Sequence, residues 1–414
     1  MRLRLPAFLI LVLAALGASP VCAGALDPPP GMRVERVVMV FRHGVRVPLP
    51  GEAAAAAYAR EPWPRWSTPP EVLTPHGREA MRLLGAFDRA LFAREGLLPA
   101  SGCVRAGDVL IWTNVVQRTI ASGEALADGL APGCGLPVGH LAADARDPLF
   151  EPGATAAPFD PAVAVASVQA YTGGLDELAK AHRAAFDTLE RILGCEAPGK
   201  AASCDLAGVG SSLTASSDGR GLKLTGPIDL ASGTAQVFLL QYAEGLPLGD
   251  VGWGRATPAR IAEISRLHAL LFDVFNRSPY LARRTAFALG PRIVELLRGP
   301  GGARVAVLVG HDDNIAALTS LLTAPVKLRG YALDDPPPGG ALGFQLLRAR
   351  GTGAAYVRVF YQSQSLQQMR NLTPLNLSAP PLLLRLHPAC AKGPAQLCSL
   401  TDIAAALSNF AGVR

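Results

Sequence analysis

Lysine is nearly missing from this 414-residue chain, where 5 Lys stand beside 34 Arg. The basic residues form no long run and no stripe interleaved with aromatics, so no nucleic-acid partner is expected. No internal repeat and no heptad pattern occurs, which removes solenoids and coiled coils. Beyond the amino terminus no segment reaches the roughly 18 unbroken apolar residues of a membrane-spanning helix, so no stable membrane anchor is expected. C-x-x-C and paired Cys/His spacings are also absent, which argues against zinc; neither a metal nor a cofactor is expected. Charge is only mildly unbalanced, with a formal net of +6. A weak positive field of that kind suits an anionic small molecule.

Met1 to Ala25 reads as a secretory signal. Arg2 and Arg4 form the positive start, Leu5 to Ala18 the short apolar stretch, and VCA or AGA a cleavage site. A retained anchor or a lipid on Cys22 are the alternatives, but Ser19-Pro20-Val21 fits a lipidation box poorly. A periplasmic or secreted location is therefore expected. Six cysteines then remain, Cys103, Cys134, Cys195, Cys204, Cys390 and Cys398. An even set in an oxidising compartment implies disulfides, and the residues alone leave the pairing open. The chain from residue 26 onward is ample for two domains.

The most informative stretch is Val37 to Pro48, VVMVFRHGVRVP. Its apolar, Val-rich run predicts a strand buried on both faces, as in a parallel sheet. Arg42, His43 and Arg46 then fall in the loop at the strand's carboxyl end, where open α/β sheets place ligands. Two guanidiniums and an imidazole make a poor core and a good cradle for a dianion. Trp63 and Trp66 follow in a Pro-rich loop, and packing that loop onto the domain is their preferred role. Thr74-Pro75-His76-Gly77 opens a helix predicted over Arg78 to Gly96, with His76 a helix-start residue.

Val109 to Trp112 predicts a second short strand. The helix after it carries Arg118 in its first turn, where the helix dipole disfavours a cation and an anionic ligand explains it better. From about Phe150 to Arg266 the pattern turns helical, at Leu175–Leu193 and Ala231–Glu244, with little strand signal. His182 and His268 lie in helical patterns and read as partly buried structural residues. A third strand signal, Val305 to Val309, runs into Gly310-His311-Asp312-Asp313-Asn314 and a helix. Asp313 or Asn314 suits a helix cap, which leaves His311 unexplained. Leu333 to Leu342 is turn-rich, and Leu342–Leu347 with Tyr356–Gln362 predicts a hairpin.

RHGVRVP resembles the signature of the histidine phosphatase superfamily, in its acid phosphatase and phytase branch. LTPHGREAMRLLG, NVVQRTIASGEALADGLAPGC, GHDDNIA and YQSQSLQQMRN are similar to further segments of that family, so the likeness covers nearly the whole chain after residue 25. It implies an α/β phosphoglycerate-mutase-like sandwich, with a central mostly parallel sheet flanked by helices. The sandwich would comprise residues 26–150 and 267–414, and an inserted α-helical cap would comprise 151–266. It implies His43 as the nucleophile that is phosphorylated and Asp312 as the proton donor. Arg42, Arg46, Arg118 and His311 would bind the phosphoryl group. The disulfides implied are Cys103–Cys134, Cys195–Cys204 and Cys390–Cys398.

The function expected is thus hydrolysis of a small phosphomonoester, phytate or a sugar phosphate, by a monomer with an acidic optimum. A non-catalytic periplasmic phosphate-ester binding protein and the mutase branch of the superfamily are the alternatives. Asp313 replaces the small hydroxyl residue common after the His-Asp pair, and is expected either to raise the pKa of the neighbouring acid or to tilt leaving-group preference. The basic residue that helps phytases shortly after the signature is missing, since Leu49-Pro50-Gly51 occupies that stretch. LKLTGPIDLAS looks nearer the phytases, whereas YAEGLPLGDVGWG looks nearer the glucose-1-phosphatases.

Overall fold

The structure is a computed structural model that describes residues 26–105, 107–151, 153, 158–195, 204–299, 302–408 and 410. The expected leader, residues 1–25, lies outside them. The VVMVF run falls in β1 (Met32–Arg42). Its side chains alternate between two cores, Val38 and Val40 in one, Val37, Met39 and Phe41 in the other. A strand with period two and apolar residues at every position must be covered on both faces. The second core is closed by α1 (Pro75–Arg94) and α2 (Gln117–Leu130), with β2 (Val109–Thr113) between them in sequence. These two helices touch closely: a Cβ on Gly129 would lie 2.1 Å from the Arg82 carbonyl oxygen.

A long excursion follows, comprising α3 (Pro161–Thr172), α4 (Leu175–Ala181), α5 (Arg183–Leu193), β3 (Ser212–Ala215), β4 (Leu222–Thr225), α6 (Pro227–Ala243), α7 (Pro258–Phe275) and α8 (Pro279–Thr285). The chain then returns through α9 (Leu289–Arg298), β5 (Val305–Gly310) and α10 (Asp312–Leu321). It ends with β6 (Ala341–Ala349), β7 (Ala355–Ser363), α11 (Leu366–Arg370), β8 (Leu382–Leu386), β9 (Cys398–Ser399) and α12 (Leu400–Ser408). The sheet order is β2-β5-β1-β6-β7-β8, with β9 also paired to β7.

The α/β sandwich is as expected, and its parallel pairing is confined to the strands that carry the motifs, β2, β5 and β1. From β6 onward every pairing is antiparallel, so the sheet as a whole is mixed. The cause is connectivity: β6 and β7 are joined by a short turn, which can only reverse the chain, as their expected hairpin required.

Three local expectations need correction. The helix expected over 175–193 divides at His182, whose φ of −111° and ψ of 19° are not helical. The excursion also contains the β3–β4 hairpin, whose strands are only four residues long each and mostly exposed. The boundary expected after residue 266 falls inside α7, a continuous helix started by Thr257, whose side chain accepts from the Arg260 N–H. Trp63 stacks on Phe238 of α6 and meets Trp253 edge-on, so its loop is pinned to the helices of the excursion. Cys103–Cys134, Cys195–Cys204 and Cys390–Cys398 are all bonded, the pairing that the family resemblance implied.

Candidate active site

The carboxyl ends of β1 and β5 lie side by side, with Arg42 opposite Gly310. The motif loop that leaves β1 is fixed at each residue. The His43 N–H donates to the Gly310 carbonyl (3.1 Å), and the His43 carbonyl accepts from the Gly339 N–H (2.9 Å). The Gly44 N–H donates to Ser122 Oγ at 3.0 Å. The start of α1 presses on this loop so tightly that a Cβ on Gly77 would lie 2.1 Å from the Val45 carbonyl oxygen, and one on Gly44 only 2.7 Å from the Met81 side chain. Glycine in R-H-G-x-R is thus required by close approach. His76 Nε2 donates to the Met369 carbonyl, 2.9 Å away, which fits its helix-start role.

Arg42, Arg46 and Arg118 converge here from β1, the motif loop and the first turn of α2. Arg42 is 1% exposed; its Nη1 donates to the Pro336 carbonyl and its Nη2 pairs with Asp312 at 2.8 Å. Arg46 makes a two-pronged pair with Glu52, at 2.6 and 2.9 Å. Arg118 has a looser contact with Glu71, 3.7 Å. Burial, and then Arg46, lower the pKa of Arg118 from its ordinary value. The buried Nε atoms of all three arginines have no hydrogen-bond partner among the described residues. Buried guanidinium donors left unpaired beside one another suit an anionic ligand.

His43 is buried, and its Nδ1 lies 2.9 Å from the Gly44 carbonyl. A carbonyl can only accept, so Nδ1 carries the hydrogen and Nε2 keeps its lone pair. Burial, followed by Arg42, His311, Arg46 and Arg118, holds the His43 pKa well below the ordinary imidazole value. The His311 ring stands edge-on to it, with centroids 5.6 Å apart. Burial and then Arg118 push the pKa of His311 down to about 4.

Asp312 and Asp313 open α10, and Asn314 reaches back from N3, its Oδ1 accepting from the His311 N–H at 3.0 Å. The two acids behave oppositely. Burial opposes the charge on Asp312, but Arg42, His268 and His311 together outweigh it and bring its pKa to about 2. Asp313 has no such pair; burial and the charge of Asp312 raise its pKa to about 7. The extra carboxylate therefore shifts itself rather than its neighbour, because only Asp312 reaches a guanidinium.

His268 also departs from expectation. It is 5% exposed on α7, yet its Nε2 stands 3.9 Å from Asp312 Oδ2, while its Nδ1 bonds Asp335 Oδ1 at 2.7 Å. Nothing in LHALLFDVF signals this, since the carboxylates it meets come from segments far along the chain. Glu52 and Asp335 escaped the sequence reading for the same reason. His182, in contrast, bonds the Leu178 carbonyl and accepts from Arg266 Nε, a structural role. Among the described residues no group of three or more His, Cys, Asp or Glu side chains is arranged to hold a metal ion.

A neutral imidazole backed by unpaired arginine donors, with a carboxyl at a helix start beside them, is chemistry for moving a phosphoryl group. Residues 33–163 match the model of the histidine phosphatase superfamily, branch 2. The chain belongs to that family and is an enzyme of the acid phosphatase class. Its relatives include phytase AppA of Escherichia coli (strain K12), 35% identical over 90% of each chain. Glucose-1-phosphatase of Salmonella typhimurium is 30% identical over 90% of this chain and 91% of its own. Among solved structures, Hafnia alvei phytase in complex with tartrate superposes with a TM-score of 0.85 at 30% identity, covering 92% of this chain and 97% of that one.

Proposed function

We propose that this enzyme is an exported phosphatase that hydrolyses phosphate monoesters of polyhydroxylated rings through a phosphohistidine on His43, with an acidic optimum. The observation that carries this is the neutral, tautomer-fixed His43 set among three buried arginines with unpaired Nε donors. Nε2 attacks phosphorus while the ester P–O bond breaks, and Asp312 protonates the departing oxygen. Arg42, Arg46, Arg118 and His311 hold the non-bridging oxygens, where charge is concentrated in the transfer. Water then attacks the phosphohistidine, and the Asp312 carboxylate takes its proton. A phosphoryl oxygen competes with Asp312 for Arg42, which weakens the contact that keeps Asp312 ionised. Low pH then supplies the proton, and His43, its pKa depressed, stays a free base. The disulfides and the leader-like amino terminus support export, and no described helix is long and apolar enough to cross a membrane.

Phytase and glucose-1-phosphatase relatives both act on such rings, and one feature favours the singly phosphorylated kind. Leu49-Pro50-Gly51, the stretch just after the motif, carries no basic residue, and Glu52 beside it pairs with Arg46 through a side chain only 9% exposed. Turnover of phytate, glucose 1-phosphate and p-nitrophenyl phosphate compared on one preparation ranks the substrates. His43→Ala should abolish turnover with the melting curve retained, and alkaline quenching of wild type with labelled substrate should leave label on His43. Label on another residue, or a mutant that still turns over, overturns the mechanism.

A further inference from the structure

We propose that His268, anchored by Asp335, is a positioning residue for Asp312, which fixes the orientation of that carboxyl during proton donation; this rests on Asp312 being the general acid. The supporting geometry is a closed circuit of four side chains from four segments. Asp312 Oδ1 accepts from the Asp313 N–H at 3.1 Å, and Oδ2 pairs with Arg42 Nη2 at 2.8 Å. Arg42 in turn donates to the carbonyl of Pro336, the residue after Asp335. Asp335 is 3% exposed and bonds His268 Nδ1 at 2.7 Å, which leaves Nε2 as the ring atom turned to Asp312 Oδ2, 3.9 Å away. Phe272 packs edge-on against the imidazole, with ring centroids 4.9 Å apart.

In the free enzyme Arg42 is the nearer partner of Oδ2. A bound phosphoryl group draws on the same guanidinium, and the carboxyl then loses what held one of its two oxygens. His268 is the remaining ion-pairing side chain within 4.0 Å of that oxygen, and a small shift closes the gap to a hydrogen bond. A buried His–Asp pair whose histidine sits on the core face of α7, beside Leu267, Leu270 and Val274, needs such a reason, because two polar groups are desolvated there. Asp335 acts only through His268, by fixing its ring. The role is positional: neither residue reaches the reacting phosphoryl group itself.

The test compares wild type, His268→Gln, His268→Ala, Asp335→Asn and Asp312→Asn on p-nitrophenyl phosphate and on whichever of phytate and glucose 1-phosphate wild type hydrolyses faster. Poor alkoxide leaving groups need a well-aimed proton and p-nitrophenolate does not. His268→Ala should therefore lower kcat on the alkyl ester ~10-fold or more, with kcat on p-nitrophenyl phosphate within ~3-fold and both KM values nearly unchanged. His268→Gln, which keeps a hydrogen-bonding atom, should restore part of the loss, and Asp335→Asn should show a smaller loss in the same direction. The ratio of the two substrates on one sample is independent of how much of a variant folds. A ratio equal to that of wild type in both His268 variants overturns the inference if Asp312→Asn still changes it. A ratio unchanged in Asp312→Asn as well overturns the general-acid assignment beneath it.

Discussion

Two ends of the sheet treat buried arginine differently. At the far end Arg358, on β7, is 2% exposed and has a partner on each of its three nitrogens. Its Nε bonds Gln345 at 2.8 Å, its Nη1 the Asp27 carbonyl at 2.9 Å and its Nη2 the Leu26 carbonyl at 2.6 Å. Arg89 on α1 does the same, with three carbonyls between 2.6 and 2.8 Å. At the carboxyl ends of β1 and β5, Arg42, Arg46 and Arg118 are held by their neighbours but each keeps a buried Nε unpaired. A guanidinium whose donors all meet carbonyls closes a structure. One with a donor in reserve costs stability unless a ligand arrives, so burial alone does not separate the two kinds of arginine.

The sharpest way to break this contrast is to remove one arginine from each end. Arg118→Gln should lower kcat/KM by ~10²–10³-fold, because it deletes a donor to the transferring group, and should leave the melting temperature nearly unmoved. Arg358→Met should do the reverse, destabilising by about 2–4 kcal/mol as two carbonyls and Gln345 lose their partner, with kcat per folded molecule unchanged. Kinetics and melting curves on both proteins decide it; a stability loss in the first or a kinetic loss in the second would erase the distinction. The smallest expected effect concerns Asp313. Its folded pKa of about 7 lies above the ordinary 3.8, so the folded chain holds that proton longer than the unfolded one. Stability is therefore lost as pH rises from about 4 to 7, and the loss is complete above 7. Asp313→Asn should be more stable than wild type by about 1–2 kcal/mol at pH 8 and equal to it near pH 3.5, by melting curves at both pH values.

Much of the site was legible because its chemistry is local in sequence. Arg42, His43 and Arg46 lie within five residues at the carboxyl end of β1, and His311 and Asp312 follow a strand that is buried at every position. Strong apolar runs marked β1, β2 and β5, and the paired strand signals at Leu342–Leu347 and Tyr356–Gln362 announced the antiparallel hairpin. What was not legible depends on pairings between distant segments. His268 meets Asp335 67 residues later, and Arg42 meets the Pro336 carbonyl 294 residues later. Neither contact leaves a periodicity in the chain. The opposite shifts of Asp312 and Asp313 were hidden for the same reason, since two adjacent Asp look alike until one is set against Arg42.

The position of β1 has a consequence for how the protein comes into being. This strand is the first of the sheet to be made, yet it lies in the middle, and its two ladder partners, β5 and β6, begin only at Val305 and Ala341. Until those segments emerge, the VVMVF run has two open edges, the condition in which chains stick to one another. Pairing over such separations is also slow. The strand that leads to His43 must therefore wait through most of synthesis, and the cluster around it closes only when the segments from β5 onward have docked. A prematurely ended chain would own His43 and both motif arginines and still have no site.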